Sequence, residues 1–361
     1  MPINDLSLPA ASLSQVSTSQ NRTGHALRSL SLSVQPGSVL GVIGAQAPDV
    51  LELFAGLIRP SAGSVLIGGQ VMGHRPPQRR PIGMVTPGLD LFSHLDVAGH
   101  ARFAPNARRA DAEALMERLD LTEFARRRPA SLPQEIRLKV AIARALSRKP
   151  TLLLLDDPFG GLSTASVSAV KAFLRSEAST TGLAILITAR DASANYGLVD
   201  RVAVLQEGVL IQSGPLQELY DSSDSIEMAQ LMGPLNCLPG LVIGLDEDLA
   251  RVRLESGGVV EGRAMGTLRP GWACTVAIRP ERIAIAAVNP SELGDGAVAA
   301  RLHEAVFAGD HMRLLLSLDP SGTRPPNLVA LRPSNSGMPR SGAVLSLAWQ
   351  PHHAQVFARR T

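Results

Sequence analysis

Two adjacent carboxylates at the end of an apolar stretch are the strongest chemical signal in the sequence. Leu152–Leu155 is a continuous apolar run, and Asp156 and Asp157 follow it directly. Such a run predicts a strand of a parallel sheet that is buried on both faces and presents these carboxylates at its carboxyl end. Carboxylates in that place can hold a divalent cation or act as a base. They can equally cap the turn after the strand as part of the scaffold.

A glycine-bearing loop is the second candidate site. Val39–Ile43 is apolar, Gly44 follows it, and apolar residues then recur at helical spacing, at Val50, Leu51, Phe54 and Leu57. A strand, a glycine loop and a helix in this order begin an α/β unit, and phosphates often bind at the start of such a helix.

The elements that must position these residues change along the chain. Further apolar runs at Leu183–Thr188 and Val202–Leu205, with a helical pattern at Thr164–Ser179 before them, predict a parallel α/β sheet. Residues 88–150 are rich in Arg and Ala with helical periodicity, which predicts a helical insert. After Asn236, short alternating stretches separated by Gly and Pro predict a small all-β barrel or sandwich.

Composition excludes several classes of protein. The chain has 361 residues, of which 45% are hydrophobic and 19% charged, so it can form a substantial core and is not disordered throughout. A net charge of +3 and 3% aromatic residues argue against a nucleic-acid surface. Neither a signal peptide nor a membrane-spanning segment is expected. Cys237 and Cys274 are expected to be reduced thiols, and Trp272 and Trp349 to anchor the β-domain core.

Six motifs in order and spacing carry a family resemblance, which covers nearly the whole chain from about Ser12. They are Leu30–Gly37, Ala55–Pro60, Val140–Leu146, Leu152–Pro158, Asp200–Val204 and Ile278–Glu281. Together they resemble the ATP-binding subunit of ABC importers with a C-terminal TOBE domain, the subgroup that serves polyamine, iron and sugar uptake. The resemblance implies a P-loop NTPase-like α/β core with a helical insert and an OB-like β-domain. The implied divisions are a flexible N-terminus at 1–10, the ATPase-like domain at 11–235 with its helical subdomain at 88–150, and the TOBE-like domain at 236–361.

The same resemblance implies ligands and partners. ATP and Mg²⁺ would be the cofactors, with Gly44 in the phosphate loop, Asp156 in the position of the Mg²⁺-linked Asp and Asp157 in that of the general-base Glu. Arg190 stands where the family has its switch His. The partners would be integral-membrane permease subunits, a second ATP-binding subunit of the same or another kind and, indirectly, a periplasmic solute-binding protein. The implied location is the cytoplasmic face of the inner membrane, as a peripheral subunit.

The phosphate loop departs from the family pattern. Counted from Gly44, the second Gly, the Lys and the hydroxyl of GxxxxGK[ST] fall on Asp49, Val50 and Leu51. The chain has only three lysines, and none precedes Lys139, so no shift of register supplies one. Pro48 also removes a backbone donor, and against the family pattern the stretch from Gly44 to Ala55-Gly56-Leu57 is about three residues too short.

Other family positions are also substituted. The signature loop, LSGGQ in the family, is Leu132–Ile136 here and contains a Pro and a Glu. Gln20 stands in place of the adenine-stacking aromatic, Pro87 in place of the Gln that links metal and water, and Ser163 in place of the D-loop Asp. Asp157 is one methylene shorter than Glu, which would set its carboxylate back by about 1 Å, and a displacement of that order can cost about 100-fold in rate.

Three functions remain open at this point. The chain could be a working ATPase subunit that powers import. It could be a pseudo-ATPase of the same fold, with a structural or regulatory role in a transporter. It could also be a free-standing partner-binding protein that has left the transporter. The substitutions predict that ATP binding is weak or absent and that hydrolysis is negligible.

Overall fold

The computed structural model describes residues 8–19, 26–105, 107–189, 192, 195–287, 298–318, 325–334, 337 and 340–359. The chain divides into two compact units between Leu219 and Tyr220. None of the helices in the described part of the chain is long and apolar enough to cross a membrane.

The first unit contains most of the helices and the second most of the strands. The α-helices are α1 Ala47–Ala55, α2 Val97–Ala101, α3 Arg109–Arg118, α4 Gln134–Leu146, α5 Thr164–Thr181, α6 Leu216–Asp221 and α7 Ile226–Leu231. The strands before α6 are β1 Ala11–Ser17, β2 Leu30–Val34, β3 Val39–Ile43, β4 Ala62–Ile67, β5 Gln70–Val71, β6 Ile82–Val85, β7 Leu152–Asp156, β8 Ala184–Ala189, β9 Arg201–Gln206 and β10 Val209–Pro215. Those after α7 are β11 Asn236–Asp246, β12 Leu249–Leu254, β13 Val259–Met265, β14 Ala273–Ile278, β15 Ala284–Ala287, β16 Val298–Phe307, β17 His311–Ser317, β18 Leu328–Pro333, β19 Val344–Ala348 and β20 Ala354–Ala358.

A six-stranded sheet forms the centre of the first unit, in the order β10-β9-β3-β8-β7-β6. Its strands pair in parallel except for β10, which is antiparallel at one edge. All five residues of β3 and all six of β8 are buried, as are the first four of β7. Continuous apolar runs therefore form doubly covered parallel strands, as the sequence predicts.

A second, antiparallel sheet of four strands lies in the order β2-β1-β4-β5. The strand β2 alternates buried and exposed residues, which is the pattern of a strand covered on one face. Residues of this sheet, of the six-stranded sheet and of α1 form one hydrophobic core. The helix α1 is therefore held from two sides, and its start lies next to the end of β3.

The helical insert lies between β6 and β7. Within the predicted range of 88–150, the helices α2, α3 and α4 occupy residues 97–146, and the stretch before α2 is a loop. The helix α4 approaches β6 closely at Gly83, where a Cβ would lie 2.6 Å from the carbonyl oxygen of Ala145. A glycine is required there because a side chain would push the helix off the strand.

The second unit is built from strands. Five of them close into a barrel in the order β11-β12-β13-β20-β14, and five more form a sheet in the order β15-β19-β16-β17-β18. The predicted fold class, an α/β core with a helical insert followed by an all-β domain, is therefore confirmed. The expectation for Trp272 is wrong, because 42% of its surface is exposed and the Arg269 guanidinium stacks over its ring, whereas Trp349 packs against the core.

Residues 220–235 lie between the boundary of the two units, after Leu219, and the start of β11. The buried Arg279 side chain donates hydrogen bonds to the carbonyl oxygens of Gly233 and Pro234, at 2.9 and 3.1 Å, and to that of Tyr220 at 3.4 Å. These bonds attach the segment to the second unit even though the barrel begins at Asn236. The domain limits expected from the sequence stay predictions.

A buried guanidinium holds the far end of α1. Arg80 is 2% exposed and burial lowers its pKa, yet no carboxylate pairs with it among the described residues. Four carbonyl oxygens accept hydrogen bonds from it instead, those of Leu53 at 2.6 Å, Phe54 at 2.9 Å, Met72 at 2.7 Å and Arg75 at 2.9 Å. The first two belong to the last turn of α1, where a positive charge also meets the negative end of the helix dipole.

We expect Arg80→Met to lower the free energy of unfolding by about 3 kcal/mol or more, because it leaves buried carbonyl groups without donors. Arg80→Lys should lose less, since it keeps the charge but cannot reach all four oxygens. Urea unfolding followed by circular dichroism measures both. The exposed Arg79→Met is the matched control and should change stability by less than about 0.5 kcal/mol. Equal effects of Arg80→Met and Arg79→Met would contradict this role.

Candidate functional site

The carboxyl ends of the central parallel strands bring the predicted site residues to one edge of the sheet. Gly44 follows β3, Asp156 ends β7, and Thr188 lies near the end of β8. The register pairs Asp156 with Thr188 across neighbouring strands. In open α/β sheets ligands bind at this edge, so the candidate site lies where the fold favours one.

The connection from β3 to α1 has only three residues, Gly44–Gln46. Gly44 has φ +118°, and a Cβ there would overlap the carbonyl oxygen of Leu205 on β9. The amide of Ala47 donates to the Gly44 carbonyl at 3.0 Å, and that of Asp49 to the Gln46 carbonyl at 3.2 Å. Pro48, between them, has no amide hydrogen. Of these three residues at the start of the helix, Pro48 thus has no donor, and Ala47 and Asp49 use theirs within the turn.

Carboxylates surround this connection. Asp49 lies in the first turn of α1 and Glu52 in the next. The pKa of Glu52 is raised, first by burial and then by the negative charges of Asp49 and Asp156. Glu52 thus senses a net negative field from its neighbours, and the same charges would repel a triphosphate bound beside them.

Asp156 and Asp157 have different surroundings. The Thr188 hydroxyl donates a hydrogen bond to Asp156 Oδ1 at 2.7 Å, which fixes that carboxylate against β8. The Asp157 amide donates to the Thr188 carbonyl at 3.2 Å and to its hydroxyl at 3.3 Å. Asp157 has φ +40°, a strained backbone conformation for a residue with a side chain. Metal binding by Asp156 and base catalysis by Asp157 stay predictions.

The remaining predicted positions do not join Gly44 and Asp156 as parts of one described site. Arg190 and Gln20 lie outside the described residues. Pro87 follows β6 in a turn where the Thr86 hydroxyl donates to Asp90 Oδ2 at 2.5 Å. Ser163 is the N-cap of α5, and its hydroxyl accepts from the Ser166 amide at 3.3 Å.

At Leu132–Ile136, where α4 begins, the side chains bond to other residues of the same chain. Pro133 precedes the helix and supplies no side-chain cap. The Gln134 side-chain amide, through Nε2, donates to the Gly160 carbonyl at 2.9 Å. The Glu135 carboxylate accepts from the Ser166 hydroxyl at 2.5 Å and lies 3.9 Å from the Lys139 ammonium. The first turn of α4 therefore already carries its own anion at the positive end of the helix dipole.

Sequence reasoning missed Thr188 and Ser166. Each is a single hydroxyl within an ordinary strand or helix pattern, and nothing in its spacing marks it. Only the register between β7 and β8, and the packing of α5 against the start of α4, reveal their carboxylate partners.

The residues at the positions that hold ATP and Mg²⁺ in the family differ from the family pattern. The amides of Ala47 and Asp49 are bonded within the turn, no lysine precedes Lys139 in the sequence, and the negative charges of Asp49 and Asp156 raise the pKa of Glu52. Asp156 has one oxygen already bonded to Thr188, and the described residues contain no group of three His, Cys, Asp or Glu side chains that could hold a metal ion.

Similarity to known proteins extends over both units. Residues 27–160 match the ABC transporter family, and residues 276–357 match the TOBE domain. The spermidine/putrescine import ATP-binding protein PotA of Rubrobacter xylanophilus is 31% identical over 349 residues, which cover 92% of this chain and 89% of that protein. The putative 2-aminoethylphosphonate import ATP-binding protein PhnT of Salmonella typhimurium is 28% identical over 342 residues, with 92% and 90% covered.

A solved structure shares the fold of part of the chain. It is cbiO1 of Clostridium perfringens, part of the ABC transporter complex cbiONQ. The TM-score is 0.53 at 23% identity, and the match covers 59% of this chain and 90% of that one. This likeness supports the ABC ATPase-like fold.

We expect Glu52→Gln to stabilise the protein at pH 8, because it removes a charge that burial, Asp49 and Asp156 all disfavour. A raised folded-state pKa means that wild-type Glu52 takes up its proton as the pH falls, so the advantage of the variant should fade towards about pH 4. Urea midpoints measured across this range test the sign. Glu117→Gln, at an exposed position of α3, is the control and should show neither effect. A Glu52→Gln variant that is less stable at pH 8 would contradict the negative field.

Proposed function

The chain belongs to the ABC transporter family, as an import-type ATP-binding subunit with a C-terminal TOBE domain, and from that premise we propose that its own nucleotide site is impaired. The subunit would then act in its transporter as a structural or regulatory component rather than as the motor. The three-residue β3–α1 connection is the observation that carries this proposal.

The expected loss of affinity comes first from missing hydrogen-bond donors to the phosphates. A hydrogen bond to a charged group contributes about 1.5–3 kcal/mol, so the loss of two or three weakens binding by more than about 100-fold. Here Pro48 has no amide hydrogen, and the amides of Ala47 and Asp49 bond within the turn. The carboxylates of Asp49, Glu52 and Asp156 add repulsion towards a triphosphate.

Pairing with an intact subunit would not restore both sites. In the family, each ATP site combines the phosphate loop of one chain with the signature of the other. This chain would bring the shortened connection to one site and the Leu132–Ile136 edge to the other. At that edge Glu135 carries a negative charge and Gln134 is bonded to Gly160 within the chain. We therefore expect both sites of such a pair to be slow.

The names of the relatives support a proposal for the kind of solute that the transporter carries. They are named for import of spermidine and putrescine or of 2-aminoethylphosphonate, all of which carry amino groups. The proposed transporter therefore imports a small amine-bearing solute. The chain would bind permease subunits at the cytoplasmic face of the inner membrane, with docking centred on α2–α4. Gentle extraction of native membranes and purification through this chain should recover a permease, and recovery of the chain alone would contradict the proposal.

Phosphate release from Mg-ATP tests the proposed impairment. The isolated wild-type chain and Asp157→Ala should give the same background rate, because the phosphate-binding connection is missing whatever residue occupies position 157. Asp157→Ala also controls for a contaminating ATPase, which would persist in both preparations. Release by the wild type that Asp157→Ala abolishes would show a working ATPase and contradict the proposal.

A further inference from the structure

A buried histidine connects the loop 86–96 to the helical insert. His100 on α2 has no exposed surface. Its Nδ1 lies 2.8 Å from the Asp96 carbonyl oxygen, which can only accept, and its Nε2 lies 2.9 Å from the Phe92 amide, which can only donate. The two partners therefore fix a neutral ring that carries its proton on Nδ1.

Arg144 and the ring of Phe92 also attach the loop, and Phe92 stacks on Phe103 with 4.8 Å between the ring centres. The loop runs from β6, at the strand-end edge, to the start of α2, and Leu89 and Asp90 both have positive φ, at +62° and +41°. Arg144 on α4 donates to the carbonyl oxygens of both residues, and its guanidinium lies 5.5 Å from the centre of the Phe92 ring. That ring also stacks on His100 at 5.9 Å. Phe92 is therefore the point at which α2 and α4 both hold the loop.

The charges around His100 act mainly against its protonation. Burial lowers its pKa most, and the positive groups Arg144 of α4 and His94 of the loop lower it further. The carbonyl and the charge of Asp96, at the start of α2, act in the opposite direction without overcoming burial. The Asp96 carboxylate also accepts from the Gly99 amide at 2.7 Å, which keeps it at the helix cap.

We infer that His100 is a pH-sensitive latch, which holds the loop 86–96 against α2 while neutral and releases it when Nε2 takes up a proton. A protonated Nε2 cannot accept from the Phe92 amide, and its charge would face Arg144. The latch acts within this chain and requires neither ATP nor a partner. Its opening would loosen the connection between the strand-end edge and the helices α2–α4.

The sign of the pH dependence follows from the two states. In the released loop His100 would have an ordinary pKa of about 6.5, whereas in the latched state burial holds it lower. The latch is therefore fully favoured above about pH 6.5 and is progressively lost as the pH falls below it. At pH 5.0 the shift in the equilibrium can reach about 30-fold, since each pH unit below the released-state pKa contributes up to tenfold.

Hydrogen exchange of the full chain between pH 7.5 and 5.0 tests the latch. After correction for intrinsic exchange rates, peptides that contain the Phe92 amide should lose protection by several-fold and up to about 30-fold in the wild type. His74→Gln, the same change at an exposed histidine outside the loop 86–96, should behave like the wild type. His100→Gln should keep protection at all pH values, because its amide oxygen can accept at the place of Nε2 and does not titrate.

Either a pH-independent wild type or equal losses in all three proteins would overturn the inference. Should His100→Gln fail to fold, nitrogen-15 NMR of the histidine rings in the wild type decides the question. The latch requires a His100 ring protonated on Nδ1 at pH 7.5 that titrates below 6.5. A ring protonated on Nε2, or one that titrates at or above 6.5, would overturn it.

Discussion

The three-residue connection between β3 and α1 is the constraint on which the character of the site depends. Gly44 turns the chain beneath the Leu205 carbonyl, and the helix begins at once, so its first amides bond back to the turn. At its other end α1 is held by the Arg80 guanidinium. A helix fixed at both ends and buried between two sheets has no slack from which a longer loop could form around a phosphate.

The other parts of the site agree with this constraint. Glu52 senses negative charge from Asp49 and Asp156, Thr188 holds an oxygen of Asp156, and Glu135 supplies an anion to the start of α4. These three carboxylates thus have an internal partner or a repulsive neighbour at places where the family fold meets phosphate or metal. Departures of one kind at separate points are what the proposed impairment requires of a scaffold that is otherwise kept.

Much of this could be predicted from the sequence because it is periodic or countable. Continuous apolar runs located β3, β7 and β8, and the count from Gly44 showed that the loop is short. The contacts of Arg80, Thr188 and His100 could not be predicted, because a single buried polar residue has no period and its partners are distant in sequence or are backbone atoms. Trp272 was misjudged because an aromatic in a β-domain is usually buried, whereas this one lies beneath Arg269 at the surface.

Calorimetric titration of Mg-ATP into the purified 361-residue chain tests the proposed impairment of the nucleotide site, because it measures binding without requiring hydrolysis or a partner. We expect no saturable heat up to about 1 mM nucleotide, since Pro48 has no amide hydrogen, the amides of Ala47 and Asp49 bond within the turn, and the connection contains no lysine. Saturable binding of one ATP per chain with a micromolar Kd would contradict it, because the phosphates would then be held by groups that this connection does not supply.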